Sequence, residues 1–181
     1  MKNLESPLRR EMVDIRTAIE RDVPGCAELL GILFSQEHEF TPDVEAQSRA
    51  LSMVVDNPHL GRIFVGEVCG EIRGMVMLLF TVSTFLGQKV ALLEDMIVEP
   101  AWRGKGLGSL LLNHALDFAR REGLARITLL TDRDNETAQH FYASKSFTRS
   151  EMVVFRNFLS SSSNQESDLQ QSGMPFVPDK D

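Results

Sequence analysis

The chain has 181 residues, of which 43% are hydrophobic, and it carries a formal net charge of -7. This length supports one substantial hydrophobic core and is too short for two ordinary domains. The composition provides no basic face for nucleic acid, and the longest apolar run, Met75 to Phe80, is far too short to span a bilayer, so neither a nucleic-acid nor a membrane partner is expected.

The cysteines and histidines predict no metal site. Cys26 and Cys69 form neither a metal-binding spacing nor a disulfide framework, which indicates a reducing, cytoplasmic setting. The histidines are scattered along the chain, and His38 has no partner at metal-ligand spacing. The first five residues carry no apolar signal region.

The first half of the chain predicts a strand, two helices and three strands. Residues 1–11 are polar and are expected to be flexible. Alternating apolar residues, helix-start signals at Asp22 and Thr41, and tight turns between the later strands define the boundaries. The predicted elements are a strand at 12–16, helices at about 22–34 and 41–55, and strands at 62–68, 71–84 and 90–98.

The most informative segment follows the last of these strands, where a glycine-rich turn runs directly into a helix predicted over 107–122. Gly104, Gly106 and Gly108 stand at alternate positions, so the backbone is free to adopt positive φ and several N–H groups can converge on one point. The dipole of the following helix adds to the attraction for an anion. The pattern therefore indicates a site for phosphate or pyrophosphate.

Two cationic side chains, Arg103 and Lys105, stand beside the same turn and favour an anionic ligand. The two common glycine-rich signatures are absent. Ser109 occupies the third glycine position of a dinucleotide fingerprint, and Gly106 follows the Gly-Lys pair where a Walker loop requires Ser or Thr. What remains is the pattern R-x-x-G-x-G over 103–108.

After the helix, Gly123 provides a C-cap and the chain predicts a buried strand at 126–131. A short helix capped by Asp134–Asn135 follows, and a last strand is predicted at 152–158. The remaining residues, 160–181, are rich in Ser and Gln and cannot bury enough apolar surface to offset the entropy of ordering, so a disordered tail is expected there.

Two motifs resemble those of the GNAT superfamily of acyl-CoA-dependent N-acyltransferases. The pattern over 103–108 resembles the family's pyrophosphate-binding motif, Arg/Gln-x-x-Gly-x-Gly/Ala. Residues 135–147 resemble its second signature, an Asn followed by six residues, a Tyr and a Gly-Phe turn, with Ser146 where the family usually has Gly. The order of predicted elements is also that of the family.

The resemblance implies an α/β (α+β) GNAT fold over residues 12–159. The expected sheet is mixed, mostly antiparallel and of about seven strands, with helices on both faces and a splay between the fourth and fifth strands. The implied activity is transfer of an acetyl group from acetyl-CoA, the co-substrate, to a primary amine by direct attack in a ternary complex. The alternative is a non-catalytic acyl-CoA sensor of the same fold.

The acceptor is implied to be a small-molecule or peptide amine, and the sequence leaves its identity and the acyl chain length open. Dimers are common in the family, and no feature of the sequence fixes the oligomeric state. Glu37 and Glu39 lie in a region that lines the family's acceptor groove and could attract a cationic amine, with a solvated helix end as the alternative.

Glu94 and Asp95 are two carboxylates inside an apolar strand, where they are costly unless paired, exposed or functional. Since adjacent strand residues point to opposite faces, only one of them is expected to be the base that removes the amine proton. The strand resembles that of the family's small-amine acetyltransferases, which implies Glu94 as the general base and Asp95 as a structural or secondary polar group. A strand-edge carboxylate held by an arginine is the alternative for Glu94.

The remaining site residues are carried over by position in the family. Asn135 matches a residue that contacts pantetheine, with a plain helix cap as the alternative, and Tyr142 matches the general acid, with a core position as the alternative. The N–H of Val98 or Ile97 is the expected oxyanion donor. The groups expected to hold acetyl-CoA are Met96, Ile97, Val98, Arg103, Gly104, Lys105, Gly106, Leu107, Gly108, Ser109 and Asn135.

Overall fold

The computed structural model describes residues 13–36 and 41–157. These residues belong to two compact units, one up to Asp134 and one from Asn135 onward. The predictions of a flexible stretch at 1–11 and a disordered tail at 160–181 lie outside the described residues, and so do Glu37 and Glu39.

The first unit contains a sheet and three of the four described helices, and the second contains the last helix. Two 3-10 turns, Glu20–Asp22 and Pro100–Trp102, occur before α1 and α3 respectively. The elements in chain order are β1 (Val13–Thr17), α1 (Val23–Phe34), α2 (Val44–Asp56), β2 (Gly61–Val68), β3 (Glu71–Ser83), β4 (Gln88–Val98), α3 (Leu107–Arg121), β5 (Ile127–Leu129) and α4 (Glu136–Ala143).

The sheet is mixed and mostly antiparallel, as the sequence predicts. Its strands follow the chain order β1-β2-β3-β4-β5, in which the first four are antiparallel neighbours and β5 is parallel to β4. Within the described residues the sheet has five strands, so the expected seven are not found. β4 and β5 are paired at three positions, Ala91 to Leu93 against 127–129.

The strand predicted at 152–158 is wrong for its described part. Residues 152–157 are irregular, and the side chains of Met152 and Phe155 are 87% and 92% exposed. Valine and phenylalanine favour strands because they pack on a pleated surface, and without a neighbouring strand that preference has no effect. No described strand pairs with this segment.

Helices α1 and α2 cover one face of the sheet. Leu51 of α2 packs in a fully buried cluster with Val65 of β2 and Met75 of β3. The odd-numbered residues of β2 therefore face these helices, as the two-residue period of a strand requires.

Helix α3 covers the other face of the sheet. The ring of Phe64 in β2 meets those of His114 and Phe118 in edge-to-face geometry, with centroids 4.9 and 5.1 Å apart. Two glycines of the sheet lie under the helix. A Cβ at Gly66 would stand 2.8 Å from Leu107, and one at Gly74 would stand 2.9 Å from Leu111. The missing side chains therefore let α3 lie close against the sheet.

An ion-pair cluster joins β1, β2 and the start of α1. The Arg16 guanidinium donates to both carboxylate oxygens of Asp22, at 2.6 and 2.9 Å, and to Glu67 at 2.7 Å. Asp22 is 4% exposed and also accepts from the N–H of Ile19 at 2.9 Å. Its hydrogen bonds with Arg16 lower the pKa of the Asp22 carboxyl from its ordinary value.

We expect Asp22→Asn to lower the free energy of unfolding by about 2 kcal/mol near neutral pH, because the charge-assisted bonds with Arg16 are weakened. The folded-state pKa of Asp22 lies below the unfolded value of about 3.9, so its contribution is complete above that value and is lost as the pH falls through the folded-state pKa. Urea unfolding of both proteins near neutral pH and in acid measures the difference, which should shrink in acid.

Asp117→Asn is the matched control. Asp117 pairs with Arg120 on the surface of α3, where both side chains are more than half exposed. Its replacement should cost less than about 0.5 kcal/mol. Equal losses in the two variants, or a difference for Asp22→Asn that persists in acid, would contradict the buried-pair account.

The second unit contains α4 and the turn that ends it. The Asn135 side chain accepts from the N–H of Ala138 at 3.0 Å and caps the helix. At the other end, the N–H of Ser146 donates to Ala143 at 3.0 Å and the N–H of Phe147 donates to Tyr142 at 3.1 Å. These are the two bonds of a Schellman motif, in which the left-handed residue is usually glycine. Here Ser146 takes that conformation, with φ 68°.

We expect Ser146→Gly to raise the free energy of unfolding by about 0.5–1 kcal/mol, because glycine adopts the left-handed conformation without the steric strain of a side chain. The larger conformational entropy of glycine in the unfolded state offsets part of this gain. Ser144→Gly is the control because Ser144 has right-handed φ of -64° at the same helix end. That variant should be destabilised by about 0.5–1 kcal/mol. Thermal or urea unfolding compares them, and a loss in both variants would contradict the strain at Ser146.

Candidate active site

The glycine turn lies between β4 and α3, as the sequence predicts. Gly104 has φ 73° and Gly106 has φ 96°, and a Cβ at either position would meet nothing within 4 Å. Glycine is therefore favoured at both positions because of the left-handed backbone, and not because a side chain would lack space. Gly106 is the N-cap of α3, and its carbonyl accepts from the N–H of Leu110 at 3.1 Å.

Gly108 differs from the other two glycines. It lies in the first turn of α3 and has ordinary helical backbone, so the prediction of positive φ holds for Gly104 and Gly106 alone. The N-cap glycine has no side chain with which to cap the helix. The first N–H groups of an α-helix have no carbonyl partner inside the helix, so those of Leu107, Gly108 and Ser109 form the donor end of α3.

Leu107 fixes the position of that donor end. Its side chain is fully buried and lies over Gly66 of β2. The residue that begins the helix is thus anchored in the core, while the turn before it is exposed. The core contact of Leu107 therefore fixes the position of these backbone donors relative to the sheet.

Arg103 is a bridging residue as well as a cation. Its Nε donates to the carbonyl of Val98 at 2.9 Å, and its Nη2 donates to Oε1 of Gln36 at 3.2 Å. The side chain therefore ties the turn to the end of β4 and to the turn after α1. The role of Gln36 was not predicted, because no local pattern connects it with a residue 67 positions away.

The second cation of the turn stands over an aromatic ring. The Lys105 ammonium lies 5.0 Å from the ring centroid of Trp102, in cation–π geometry. Trp102 belongs to the 3-10 turn that follows β4. The ring restricts the lysine to the region of the turn.

A β-bulge lies at the two carboxylates of β4. Met96 pairs with Val76 and Leu93 pairs with Leu78, so the two residues between, Glu94 and Asp95, stand opposite the single residue Met77. Such a bulge interrupts the alternation of side chains. The argument that Glu94 and Asp95 must point to opposite faces therefore does not hold here. Burial still distinguishes them, since Glu94 is exposed and Asp95 is only 8% exposed.

The alternation of hydrogen-bonded pairs between β3 and β4 shows which backbone groups of β4 bond to β3. The N–H of Glu99 donates to Arg73 at 2.9 Å, which makes these two a hydrogen-bonded pair. Such pairs alternate along an antiparallel ladder, so Ile97 is directed to Met75, whereas Met96 and Val98 are directed away from β3. The backbone groups of Met96 and Val98 therefore point to the β5 side of the strand. On that side, β5 pairs with β4 only as far as Leu93 within the described residues.

Asn135 and Tyr142 belong to the second unit. The oxygen of Asn135 is used as a helix cap, which is the alternative that the sequence left open. Tyr142 is half-buried, and its ring meets those of Phe141 and Phe147 edge to face, with centroids 5.4 and 5.8 Å away. Burial raises the pKa of the Tyr142 phenol to about 12, so it keeps its proton at neutral pH.

The described residues contain no group of three or more His, Cys, Asp or Glu side chains placed to hold a metal ion. Over the same ranges, no helix has the length and apolar character needed to cross a membrane.

Comparison with known proteins agrees with this fold. The chain is 32% identical over 133 residues to YhfO, an uncharacterized N-acetyltransferase of Bacillus subtilis (strain 168), covering 72% of this chain and 86% of the relative. It superimposes with a TM-score of 0.71 on an integron cassette protein from the mobile metagenome of Cole Harbour Salt Marsh, at 27% identity over 81% of this chain and 90% of the other.

A third comparison concerns fold alone. The aminoglycoside N-acetyltransferase AAC(6')-Iy, solved in complex with CoA, is 17% identical with a TM-score of 0.68, over 82% of this chain and 95% of that one. The model of the acetyltransferase (GNAT) family matches residues 22–147, which is well over half of the chain. The chain therefore belongs to the GNAT family of acetyltransferases and is an enzyme of that class.

Proposed function

We propose that this protein transfers an acetyl group from acetyl-CoA to a primary amine by direct attack within a ternary complex. The observation that carries the proposal is the turn from β4 into α3, where two left-handed glycines expose the donor end of the helix. No observation in the described residues favours the alternative of a non-catalytic acyl-CoA sensor.

The pyrophosphate of acetyl-CoA binds at this turn. Its oxygens accept from the backbone N–H groups at the start of α3, which also carry the positive end of the helix dipole. Lys105 adds a cation beside the turn, held over Trp102. Arg103 orders the turn through Val98 and Gln36 and contributes its positive charge to the same region.

The pantetheine arm lies along the end of β4. Met96 and Val98 direct their backbone groups away from β3, which suits pairing with the amide groups of pantetheine. The N–H of Val98 is directed away from β3, which makes it the better donor for the acyl oxygen. Ile97 is less suited because its N–H is directed to Met75. We infer that β4 and β5 part beyond Leu93 and leave room for the arm.

Glu94 and Tyr142 transfer the protons. Glu94 is exposed at the bulge, next to the strand residues that hold the acyl group, and accepts the amine proton, directly or through water. Tyr142 remains a phenol at neutral pH and donates to the departing thiolate. The family motif assigns Asn135 a contact with pantetheine, in addition to its role as the cap of α4.

The anion site is tested by Gly106→Asp. The carboxylate would stand where the pyrophosphate binds, and we expect acetyl-CoA affinity to fall by about 100-fold or more, from repulsion and from loss of the φ 96° conformation. Isothermal titration measures the affinity.

Gly123→Asp is the matched control because Gly123 is also left-handed, with φ 69°, and open to solvent, but it lies at the opposite end of α3. It imposes similar backbone strain without approaching the turn. We expect its affinity to be unchanged and its melting temperature to fall as much as that of Gly106→Asp. Undiminished acetyl-CoA binding in folded Gly106→Asp would overturn the assignment.

The proton-transfer roles are tested by pH profiles. Glu94→Gln should lower turnover by about 100-fold near neutral pH and recover as the pH approaches the pKa of the free amine, near 10 for an alkylamine. Tyr142→Phe should lower turnover without changing acetyl-CoA affinity, since only a hydroxyl is lost. Asp95→Asn should leave the shape of the profile unchanged. If Asp95→Asn shows the pH-dependent loss instead, Asp95 is the base.

A further inference from the structure

The guanidinium of Arg103 has two hydrogen-bonding edges, and the protein uses one of them. Its Nε donates to the carbonyl of Val98 and its Nη2 to Oε1 of Gln36, at 2.9 and 3.2 Å. These two nitrogens share one edge of the planar group. The other edge, formed by Nη1 and the second N–H of Nη2, makes no hydrogen bond to residues 13–36 or 41–157. That edge matches the spacing of two phosphate oxygens.

Gln36 is itself held by α1. Its Nε2 donates to the carbonyl of Ile32 at 2.8 Å, and its backbone N–H donates to the carbonyl of Leu33 at 2.9 Å. The helix is anchored in the core by Leu29 and Leu30, which are both 3% exposed. Because the amide nitrogen is bonded to the helix, the amide plane is set and its oxygen is directed to Arg103. The acceptor therefore has a defined position.

The bond to Gln36 determines the orientation of the guanidinium. A single hydrogen bond from Nε to Val98 would locate one atom and leave the planar group free to tilt about that bond. A second bond from the same edge fixes the plane. The residues that follow offer no substitute, since Gly104 has no side chain and Lys105 lies over Trp102.

The partners of Arg103 are uncharged, which distinguishes it from two other arginines of the sheet. Arg16 is paired with the carboxylates of Asp22 and Glu67. Arg73 is paired with Glu71 and Glu99. By contrast, a carbonyl and an amide orient Arg103 without neutralising its charge. The full positive charge remains for an anion.

We propose that Gln36 is a positioning residue of the acetyl-CoA site, which aligns Arg103 so that its second edge meets the pyrophosphate. Gln36 does not contact the ligand and acts through Arg103 alone. The inference rests on the proposed function, because it requires the pyrophosphate to bind at the turn between β4 and α3.

The first test is Gln36→Met, which keeps a side chain of similar length and removes the acceptor. We expect the affinity for acetyl-CoA to fall by about fivefold, the scale of one hydrogen bond at an exposed site. Isothermal titration of the full-length protein measures the affinity. Ser35→Ala is the matched control because Ser35 lies at the same helix end and its Oγ donates to Gly31 within α1. Its affinity should equal that of the unmodified protein, and the melting temperatures should agree.

A double-mutant cycle tests whether Gln36 acts through Arg103. Arg103→Met removes the guanidinium and keeps most of the stem. If the proposal holds, adding Gln36→Met to Arg103→Met changes the affinity for acetyl-CoA by less than about 1.5-fold, because the group to be positioned is gone. A purely structural role of Gln36 would give the same fivefold loss in both backgrounds.

Gln36→Glu tests the importance of a neutral partner. Its carboxylate still accepts from Arg103 and adds a negative charge near the pyrophosphate. Relative to the unmodified protein at the same salt, we expect weaker binding at about 0.05 M salt and nearly equal binding at about 0.5 M, where the charge is screened. Gln36→Met should stay weaker at both concentrations, because a missing acceptor is not restored by salt.

The outcomes separate the two proposals. Undiminished affinity in Gln36→Met, equal losses in both backgrounds of the cycle, or no salt-dependent recovery of Gln36→Glu would overturn the positioning role and leave acetyl transfer intact. A loss that requires Arg103, without CoA release from acetyl-CoA with any of a panel of amines, would support the positioning role and overturn the proposed reaction. Failure of the unmodified protein to bind acetyl-CoA would overturn both.

Discussion

The close approach of α3 to the sheet is the constraint on which the candidate site depends. Gly66 and Gly74 leave room for Leu107 and Leu111, and a single added methyl group at either glycine would stand under 3 Å from the leucine above it. Packing this tight leaves little freedom to shift the helix. Leu107 is also the first residue of α3. Its contact with Gly66 therefore fixes the position of the helix N-terminus relative to the sheet.

The bulge divides β4 into two segments with different pairing. On one side of it, Leu93 and the residues before it are held by both β3 and β5. On the other side, Met96 and Val98 have backbone groups that no described strand engages on the β5 side. At the bulge itself, a buried and an exposed carboxylate are adjacent. The bulge, with its two carboxylates, thus separates a segment paired on both sides from one whose backbone groups are directed away from β3.

The sequence predicted what depends on local chemistry. The glycine turn is at the predicted position, α3 differs from its predicted range by one residue, and Gly123 ends it in a left-handed conformation. Features that depend on distant partners were not predictable. The strand at 126–131 shortens to 127–129, and 152–157 does not form a strand, because the extent of a strand is set by its neighbour. The bulge is a property of the register between β3 and β4, so it leaves no signal in any single segment.

The bridge made by Arg103 has a thermodynamic consequence for ligand binding. A long cationic side chain on a glycine-containing turn would ordinarily lose rotamer freedom when an anion arrives. Here the guanidinium is already fixed between Val98 and Gln36, so that entropy is lost during folding. For the anion proposed to bind at this turn, the contact with Arg103 would then carry a smaller entropic cost. The hydrogen bond to Gln36 thereby links the end of α1 to a turn 67 residues further along the chain.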